Sequence, residues 1–240
     1  MRPPHQRRLM PLNQLLSIPS TISPRKQSCV FARFPILFPV MNGLEAATVS
    51  GAIHRRVDTA RPGTFFRRAD FLGSEAAVDS TLSRLARSND LLRIRKGLYW
   101  KGTSTRFGMT RPTPLEAGIA IGGSGSGPAG IAAANVLGLT TQVPGTIEIA
   151  VPGKAPDPFP GVRFRSRPDE RRTLKMRPME VAVLEILRDP STAEVDWEQV
   201  VARLNELAAK GLVRPALLAK EARNEPHVAA RARAAEIAAF

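Results

Sequence analysis

The sequence predicts an α+β fold whose front and back parts have different patterns. Between residues 64 and 100, a capped amphipathic helix is followed by a short hairpin of alternating apolar and basic residues. From residue 113 onward, helical segments are mixed with two strand-like segments, and the chain ends in an Ala-rich helical tail. Because both parts combine helices with a few short strands and no series of βαβ units appears, the α+β class is favoured.

The front part is expected to begin with a helix over residues 43–56, because apolar side chains recur there on one edge: Leu44, Ala47 and Val49 or Ile53. The sequence Arg61-Pro62-Gly63 is typical of a turn. After it, we expect Thr64 to cap a second, short helix that contains Phe66 to Phe71. The phenylalanines of this segment are interpreted as core residues.

A third helix is predicted after Gly73, with Ser74 as its N-cap and Glu75 in the first turn, where the helix dipole favours a negative charge. Val78, Leu82 and Leu85 recur at helical spacing beside Thr81, so this edge of the helix is expected to be buried. The opposite edge carries small, polar or cationic side chains that would not prevent the helix from entering a groove: Ala76, Ser80, Ser83, Arg84 and Arg87.

Asn89-Asp90 is expected to end this helix, and a hairpin follows. Apolar and basic residues alternate from Leu91 to Lys96, Lys96-Gly97 forms a turn, and Leu98-Tyr99-Trp100 returns as a strand. This order of helices and hairpin is that of a winged helix-turn-helix, which we predict over residues 41–104. An ordinary piece of a mixed domain is the alternative. The predicted DNA-contacting residues are Ser74, Ala76, Ser80, Ser83, Arg84, Arg87, Arg93, Arg95, Lys96 and Tyr99.

The charge of the chain points to a polyanionic partner. The formal net charge is +14 and the pI is about 11.3. Residues 1–110 hold eighteen Lys and Arg against six acidic residues, whereas residues 111–240 hold seventeen against fifteen. The cationic excess therefore lies in the same part of the chain as the predicted winged helix, and the binding of nucleic acid is expected to depend strongly on salt.

Cysteine and histidine usage excludes several classes of site. The single cysteine, Cys29, excludes an internal disulfide framework and a Cys-based zinc site, and the three histidines have no metal-ligand spacing. No combination of nucleophile, base and acid appears, so we predict neither an enzyme nor a bound cofactor. With no apolar stretch long enough to span a bilayer, a cytoplasmic protein without a membrane partner is expected. Residues 1–40 are interpreted as a flexible or spurious basic extension before Met41, with an organellar transit peptide as the alternative.

Residues 113–240 are predicted to form a second, small α/β domain after a polar linker. Its expected elements are a helix over 115–121, a Gly-rich loop, a helix over 129–137, strands at 146–151 and 162–165, and a helical tail. Residues 125–130 match the dinucleotide-binding pattern G-x-G-x-x-G, but the preceding segment is predicted to be helical rather than a strand. A flexible loop between helices is therefore expected there, and nucleotide binding is the less favoured reading.

Two stretches resemble the AbiEi-type antitoxin family of bacterial type IV abortive-infection toxin–antitoxin systems. They are VDSTLSRLARSNDLLRIRKGLYW (78–100), which resembles the N-terminal winged helix of the family, and GPAGIAAANVLGLTTQVPGTIEIAVPG (127–153), which resembles the start of its C-terminal antitoxin domain. The resemblance implies a repressor that binds inverted repeats in the promoter of its own operon. It also implies neutralisation of a nucleotidyltransferase-like toxin without a stable complex. A standalone transcription regulator with a ligand-sensing second domain is the alternative.

Overall fold

The computed structural model describes residues 48–237. Helices and short strands are interleaved along this part of the chain, so the predicted α+β class is confirmed. The predicted extension over residues 1–40 and the start of the helix predicted at 43–56 lie outside the described residues. Among residues 48–237, every helix is too short or too polar to cross a bilayer.

Two helices and a small antiparallel sheet form the front part. The helices are α1 (Val49–Thr59) and α2 (Glu75–Arg87). The strands are β1 (Thr64–Arg67), β2 (Leu92–Arg95) and β3 (Leu98–Lys101), and β3 lies in the centre of the sheet. Both helices pack against one face of the sheet through a cluster of buried side chains: Ile53, Val57, Phe66, Val78, Leu82, Leu85, Leu91 and Tyr99.

The capped helix predicted after Gly73 is confirmed as α2. The Ser74 hydroxyl accepts a hydrogen bond from the Ala77 amide at 3.4 Å, as an N-cap residue does. Val78, Leu82 and Leu85 are at most 2% exposed. Burial of these three side chains, at about 1.5–3 kcal/mol each, holds α2 against the sheet and fixes which of its edges faces outward.

The short helix predicted around Phe66 to Phe71 is wrong. The segment begins with strand β1 and continues as a single 3-10 turn over Arg68–Asp70. Phe66 is directly opposite Tyr99 of β3, and the Phe65 ring packs against Trp100 at a centroid distance of 4.6 Å. The two neighbouring phenylalanines therefore contact opposite faces of the sheet, which a strand permits and a helix does not.

The polar segment predicted as a linker also has regular structure. It contains a small hairpin of β4 (Ser104–Thr105) and β5 (Gly108–Met109). The indole of Trp100 donates a hydrogen bond to the Thr110 carbonyl at 2.8 Å, so the hairpin is tied to β3. The proposed domain limits, 41–104 and 113–240, stay a prediction.

The Gly-rich segment contributes the first strand of the second sheet. After α3 (Pro114–Gly122), the chain forms β6 (Gly127–Ala129), α4 (Gly130–Leu137), β7 (Ile147–Pro152) and β8 (Val162–Arg167). The strand order is β6-β7-β8, with β6 antiparallel and β8 parallel to β7. The predicted helices and the strands at 146–151 and 162–165 are confirmed.

The helical tail packs on this sheet. It consists of α5 (Glu170–Thr173), α6 (Pro178–Arg188), α7 (Trp197–Ala209), α8 (Pro215–Asn224) and α9 (Val228–Ala235). Helix α6 is central, because its side chains are buried without interruption from residue 180 to 187. A helix that is buried on all sides lies inside a domain, so the tail is an integral part of the second core.

Candidate nucleic-acid interface

The outward edge of α2 presents the polar and cationic side chains predicted from the sequence. Ser74, Ala76, Ser80, Arg84 and Arg87 are all exposed. Ser83 is half-buried, and its hydroxyl oxygen lies 3.4 Å from that of Tyr99. Side chains on this edge are short except for the two arginines, so the surface of the helix is narrow enough to enter the major groove of DNA.

The β2–β3 hairpin brings three more predicted residues to the same part of the molecule. Arg93 and Lys96 are exposed, and Arg95 is half-buried beside Asp157. The turn is tight because Gly97 adopts a φ of 75°, which glycine takes without steric cost. The hairpin therefore places its cations around a short, rigid tip.

Tyr99 does not belong to the exposed surface. Its side chain is only 2% exposed and contributes to the core between α2 and the sheet. The alternation along β3 directs it inward, opposite Phe66 and Arg93 on the neighbouring strands. Its inclusion among residues that contact DNA directly is therefore corrected, because a side chain at this depth does not reach a groove.

Four of the cations in this region have no ion-pair partner in the described part of the chain: Arg84, Arg87, Arg93 and Lys96. The guanidinium of Arg84 donates only to the Thr81 hydroxyl, at 3.3 Å. In contrast, most arginines of the second sheet and of α6 are paired with glutamates. Cations that no internal carboxylate neutralises remain available to phosphate groups.

The structure adds two cations that the sequence reading missed. Arg67, the last residue of β1, and Arg68, the next residue, line a cleft of about 640 Å³ together with residues of the hairpin and of α3. The Arg67 guanidinium donates to the Ala120 carbonyl of α3, and Arg68 forms an ion pair with Glu75 at 3.0 Å. The Arg-Arg pair just before a capped helix was the sequence signal, but the segment was interpreted as the interior of a helix.

Residues 123–126 of the Gly-rich segment form a turn, but residues 127–129 are the buried strand β6, so the flexible loop expected over the whole segment is wrong. A Cβ atom on Gly127 would lie 2.6 Å from the Pro178 carbonyl oxygen and 2.7 Å from the Val181 Cβ. At Gly125, it would lie 2.5 Å from the carbonyl oxygen of Arg171. These glycines are required because the backbones of α5 and α6 approach too closely for a side chain. Close packing accounts for the G-x-G-x-x-G pattern without a nucleotide.

A second cleft, of about 560 Å³, opens at the N-terminal end of α4. Its charges are largely satisfied internally. Glu148, eighteen residues beyond the glycine that opens α4, accepts two hydrogen bonds from Arg165, at 2.8 and 2.7 Å. Glu185 accepts from Arg167. His227 also lines the cleft, and its Nδ1 accepts from the Ala230 amide at 3.2 Å.

Behind this cleft, Arg171 is completely buried among three glutamates. It donates to Glu185 at 2.7 Å and to Glu225 at 3.1 Å, and its Nε lies 4.0 Å from Glu221. Burial raises the pKa of Glu185, but the hydrogen bonds and charges of Arg167 and Arg171 outweigh it and lower that pKa overall. Burial also raises the pKa of Glu221, and there the charge of Arg171 does not outweigh it.

This cluster holds α5, α6 and α8 together, and local sequence patterns did not reveal it. Its members are separated by up to 54 residues along the chain. Within residues 48–237, no group of three or more His, Cys, Asp or Glu is arranged to hold a metal ion. The buried cluster is an ion-pair network centred on Arg171.

Comparisons with known proteins give little further information. No protein-family model and no curated protein matches the chain. Among solved structures, the chain is similar to the crystal structure of the RV2827C protein from Mycobacterium tuberculosis, with 17% sequence identity and a TM-score of 0.40. The match covers 80% of this chain and 75% of that chain. Similarity at this level supports no conclusion about the fold or the function of the chain.

Proposed function

We propose that the front part is a winged helix-turn-helix that binds double-stranded DNA. Its elements follow the order helix, strand, 3-10 turn, helix and hairpin. In this assignment, α2 is the recognition helix and lies in the major groove, while the β2–β3 hairpin is the wing and contacts a phosphate backbone. The second helix of the motif is reduced to the turn at Arg68–Asp70.

One observation carries this proposal: the outward edge of α2 and the neighbouring wing present cations that no carboxylate in the described part of the chain neutralises. Arg84 and Arg87 are exposed on the helix, and Arg93 and Lys96 are exposed on the wing. The buried edge of the same helix is fixed by the core. Binding would therefore need no rearrangement of the helix.

Gel-shift titrations of DNA from upstream of the chain's own gene test this proposal. We expect the triple variant Arg84→Ala/Arg95→Ala/Lys96→Ala to lose at least about tenfold in affinity, since each lost phosphate or base contact weakens binding. The control Arg111→Ala/Lys220→Ala/Arg223→Ala removes the same charge from exposed positions elsewhere. Equal affinity of the two variants would contradict the DNA-binding assignment.

For the whole chain, the function we propose is that of a DNA-binding antitoxin of the AbiEi type. It would repress its own operon through the winged helix and neutralise a nucleotidyltransferase-like toxin through the second part, without forming a stable complex. The support is the resemblance of residues 127–153, a stretch that spans β6, α4 and β7. Co-expression with a nucleotidyltransferase gene from the same operon is the test. The chain should restore the growth of cells in which that gene is toxic. A Gly127→Ala variant, whose second part is disrupted, should not.

A standalone regulator with a ligand-sensing second part is the alternative. The cleft at the N-terminal end of α4 favours it, since charged groups of both signs line a volume suited to a small molecule. A metabolic operon around the gene, and a rise in melting temperature with one of its metabolites, would support this alternative over the antitoxin.

A further inference from the structure

We propose that the cleft between the wing and the C-terminal end of α3 is a binding site for a phosphate group, which the backbone of bound DNA supplies. This inference rests on the proposed DNA-binding function and extends it. It adds a second contact surface on the flank of α2, beside the outward edge of the helix, and it includes residues of the second part of the chain.

The walls of the cleft come from three separate segments. Arg67 ends β1 and Arg68 begins the 3-10 turn after it, Lys96 is at the tip of the wing, and Ala120 belongs to α3. The hydrogen bond from the Arg67 guanidinium to the Ala120 carbonyl joins two of these walls. The cleft therefore has its observed shape only while α3 is packed beside the front sheet.

The electrostatics of the cleft favour an anion. Asp79 is the one acidic residue that lines it, and it already lies 3.5 Å from Arg68. Ser83 is a further lining residue, and its hydroxyl adds a hydrogen-bonding group. Five cationic residues line the same volume: Arg67, Arg68, Arg93, Arg95 and Lys96.

A phosphate group matches this arrangement better than a single carboxylate does. Its oxygens accept hydrogen bonds in several directions, and planar guanidinium groups donate two at a time. Ser83, which lines the cleft, is three positions from Ser80 and four from Arg87, and residues at these spacings are neighbours on a helix. A duplex placed on the outward edge of α2 therefore brings its phosphate backbone to the mouth of the cleft.

The variant Arg68→Ala tests the site, because Arg68 is not on the outward edge of α2. A labelled DNA duplex of about 20 base pairs and arbitrary sequence is titrated with the full chain at several salt concentrations, and binding is followed by anisotropy. The matched control is Arg61→Ala, an exposed cation in the turn before β1. Arg61 lies near the end of the sheet where Thr64 pairs with Lys101, away from the wing.

We expect Arg68→Ala to weaken duplex binding by about three- to tenfold and to reduce the slope of log affinity against log salt by about one, as the loss of one phosphate contact does. Arg68→Lys should recover most of the affinity, because it restores the charge near Glu75 and Asp79. Arg61→Ala should stay within about twofold of the unchanged chain. If Arg68→Ala and Arg61→Ala have the same effect on duplex binding, DNA is not the source of the phosphate.

A second arm uses inorganic phosphate in place of chloride at constant ionic strength. Phosphate should raise the melting temperature of the unchanged chain and should do so less for Arg68→Ala. If Arg68→Ala loses this response but binds the duplex normally, the cleft takes a free phosphate group and the DNA part of the inference is overturned. If neither arm responds, the site itself is refuted. If the unchanged chain binds no duplex but responds to phosphate, the proposed DNA-binding function fails while the cleft stands.

Discussion

The carboxylate of Asp157, in the loop between β7 and β8, lies 3.5 Å from the guanidinium of Arg95 in the wing. Asp157 is almost fully exposed, whereas Arg95 is about one-third exposed. Asp157, which belongs to the second part, is thus paired with Arg95, one of the three cations that the triple variant removes. A bound phosphate has to compete with this ion pair.

Asp157→Asn is therefore expected to strengthen duplex binding by about two- to fivefold, since an exposed ion pair contributes roughly 0–1 kcal/mol. Anisotropy titration at low salt measures this change. Glu198→Gln, which neutralises an exposed acidic residue of α7, is the control for net charge. In an Arg95→Ala background, the gain from Asp157→Asn should fall to that of the control. A gain that persists there would show that the ion pair is not its cause.

Arg84 of α2 and Lys96 of the wing are expected to make different contributions to DNA binding. If Arg84 binds a guanine edge, Arg84→Ala should cost about 1–3 kcal/mol on a preferred sequence and little on other sequences. Lys96→Ala should weaken binding to every duplex and reduce the salt dependence, as the loss of a backbone contact does. Paired titrations on an operator and a scrambled duplex separate the two effects. Identical losses on both duplexes for Arg84→Ala would exclude its role in base recognition.

Gly127→Ala is expected to destabilise the chain by about 1–3 kcal/mol, because the new methyl group would overlap with Pro178 and Val181 of α6. Gly145→Ala provides the comparison, since a Cβ at that position would meet no atom within 4 Å. Thermal unfolding monitored by circular dichroism gives both values. If Gly127→Ala left the stability of the chain unchanged, close packing against α6 would not be the reason for a glycine at this position.

Glu221 makes stability depend on pH. Burial raises its pKa in the folded chain, so the folded state holds this proton more tightly than the unfolded state. Its contribution to stability is fully present below the ordinary pKa of 4.5 and is lost as pH rises through the folded pKa. We expect Glu221→Gln to raise the melting temperature near neutral pH, and we expect this gain to vanish at acidic pH.

Glu225→Gln is the contrasting variant in the same cluster. Glu225 accepts hydrogen bonds from Arg171 and Arg188, whereas one carboxylate oxygen of Glu221 has no hydrogen-bond partner in the described part of the chain. Breaking a buried ion pair is expected to cost roughly 3 kcal/mol or more, so Glu225→Gln should lower the melting temperature at neutral pH. Similar shifts for the two variants would argue against separate roles.

Local patterns in the sequence were sufficient for the elements that determine the outward edge of α2. The cap at Ser74 and the spacing of Val78, Leu82 and Leu85 depend on residues within a few positions of one another, and all are as predicted. The hairpin at Lys96-Gly97 is also local, because turn chemistry fixes it. These elements place nine of the ten predicted contact residues on or near the surface.

The features that were missed depend on distant parts of the chain. Strand β1 is only four residues long and pairs with β3, more than thirty residues further on, so no period of its own identifies it. Strand β6 contains glycine and proline, which are unfavourable in strands, and it forms because α6 packs directly on its backbone. Tyr99 alternates correctly with Leu98 and Trp100, but both faces of β3 are covered, so alternation did not reveal its burial.

The bond between Arg67 and Ala120 has a thermodynamic consequence. It connects the end of β1, in the proposed winged helix, to α3, and α3 packs on β7 and β8 of the second sheet. Any molecule that shifts α3 would change how tightly a nucleic acid is held, and linkage requires that the nucleic acid alter the affinity for that molecule by the same factor. The binding of DNA and the binding of such a molecule would then be thermodynamically coupled.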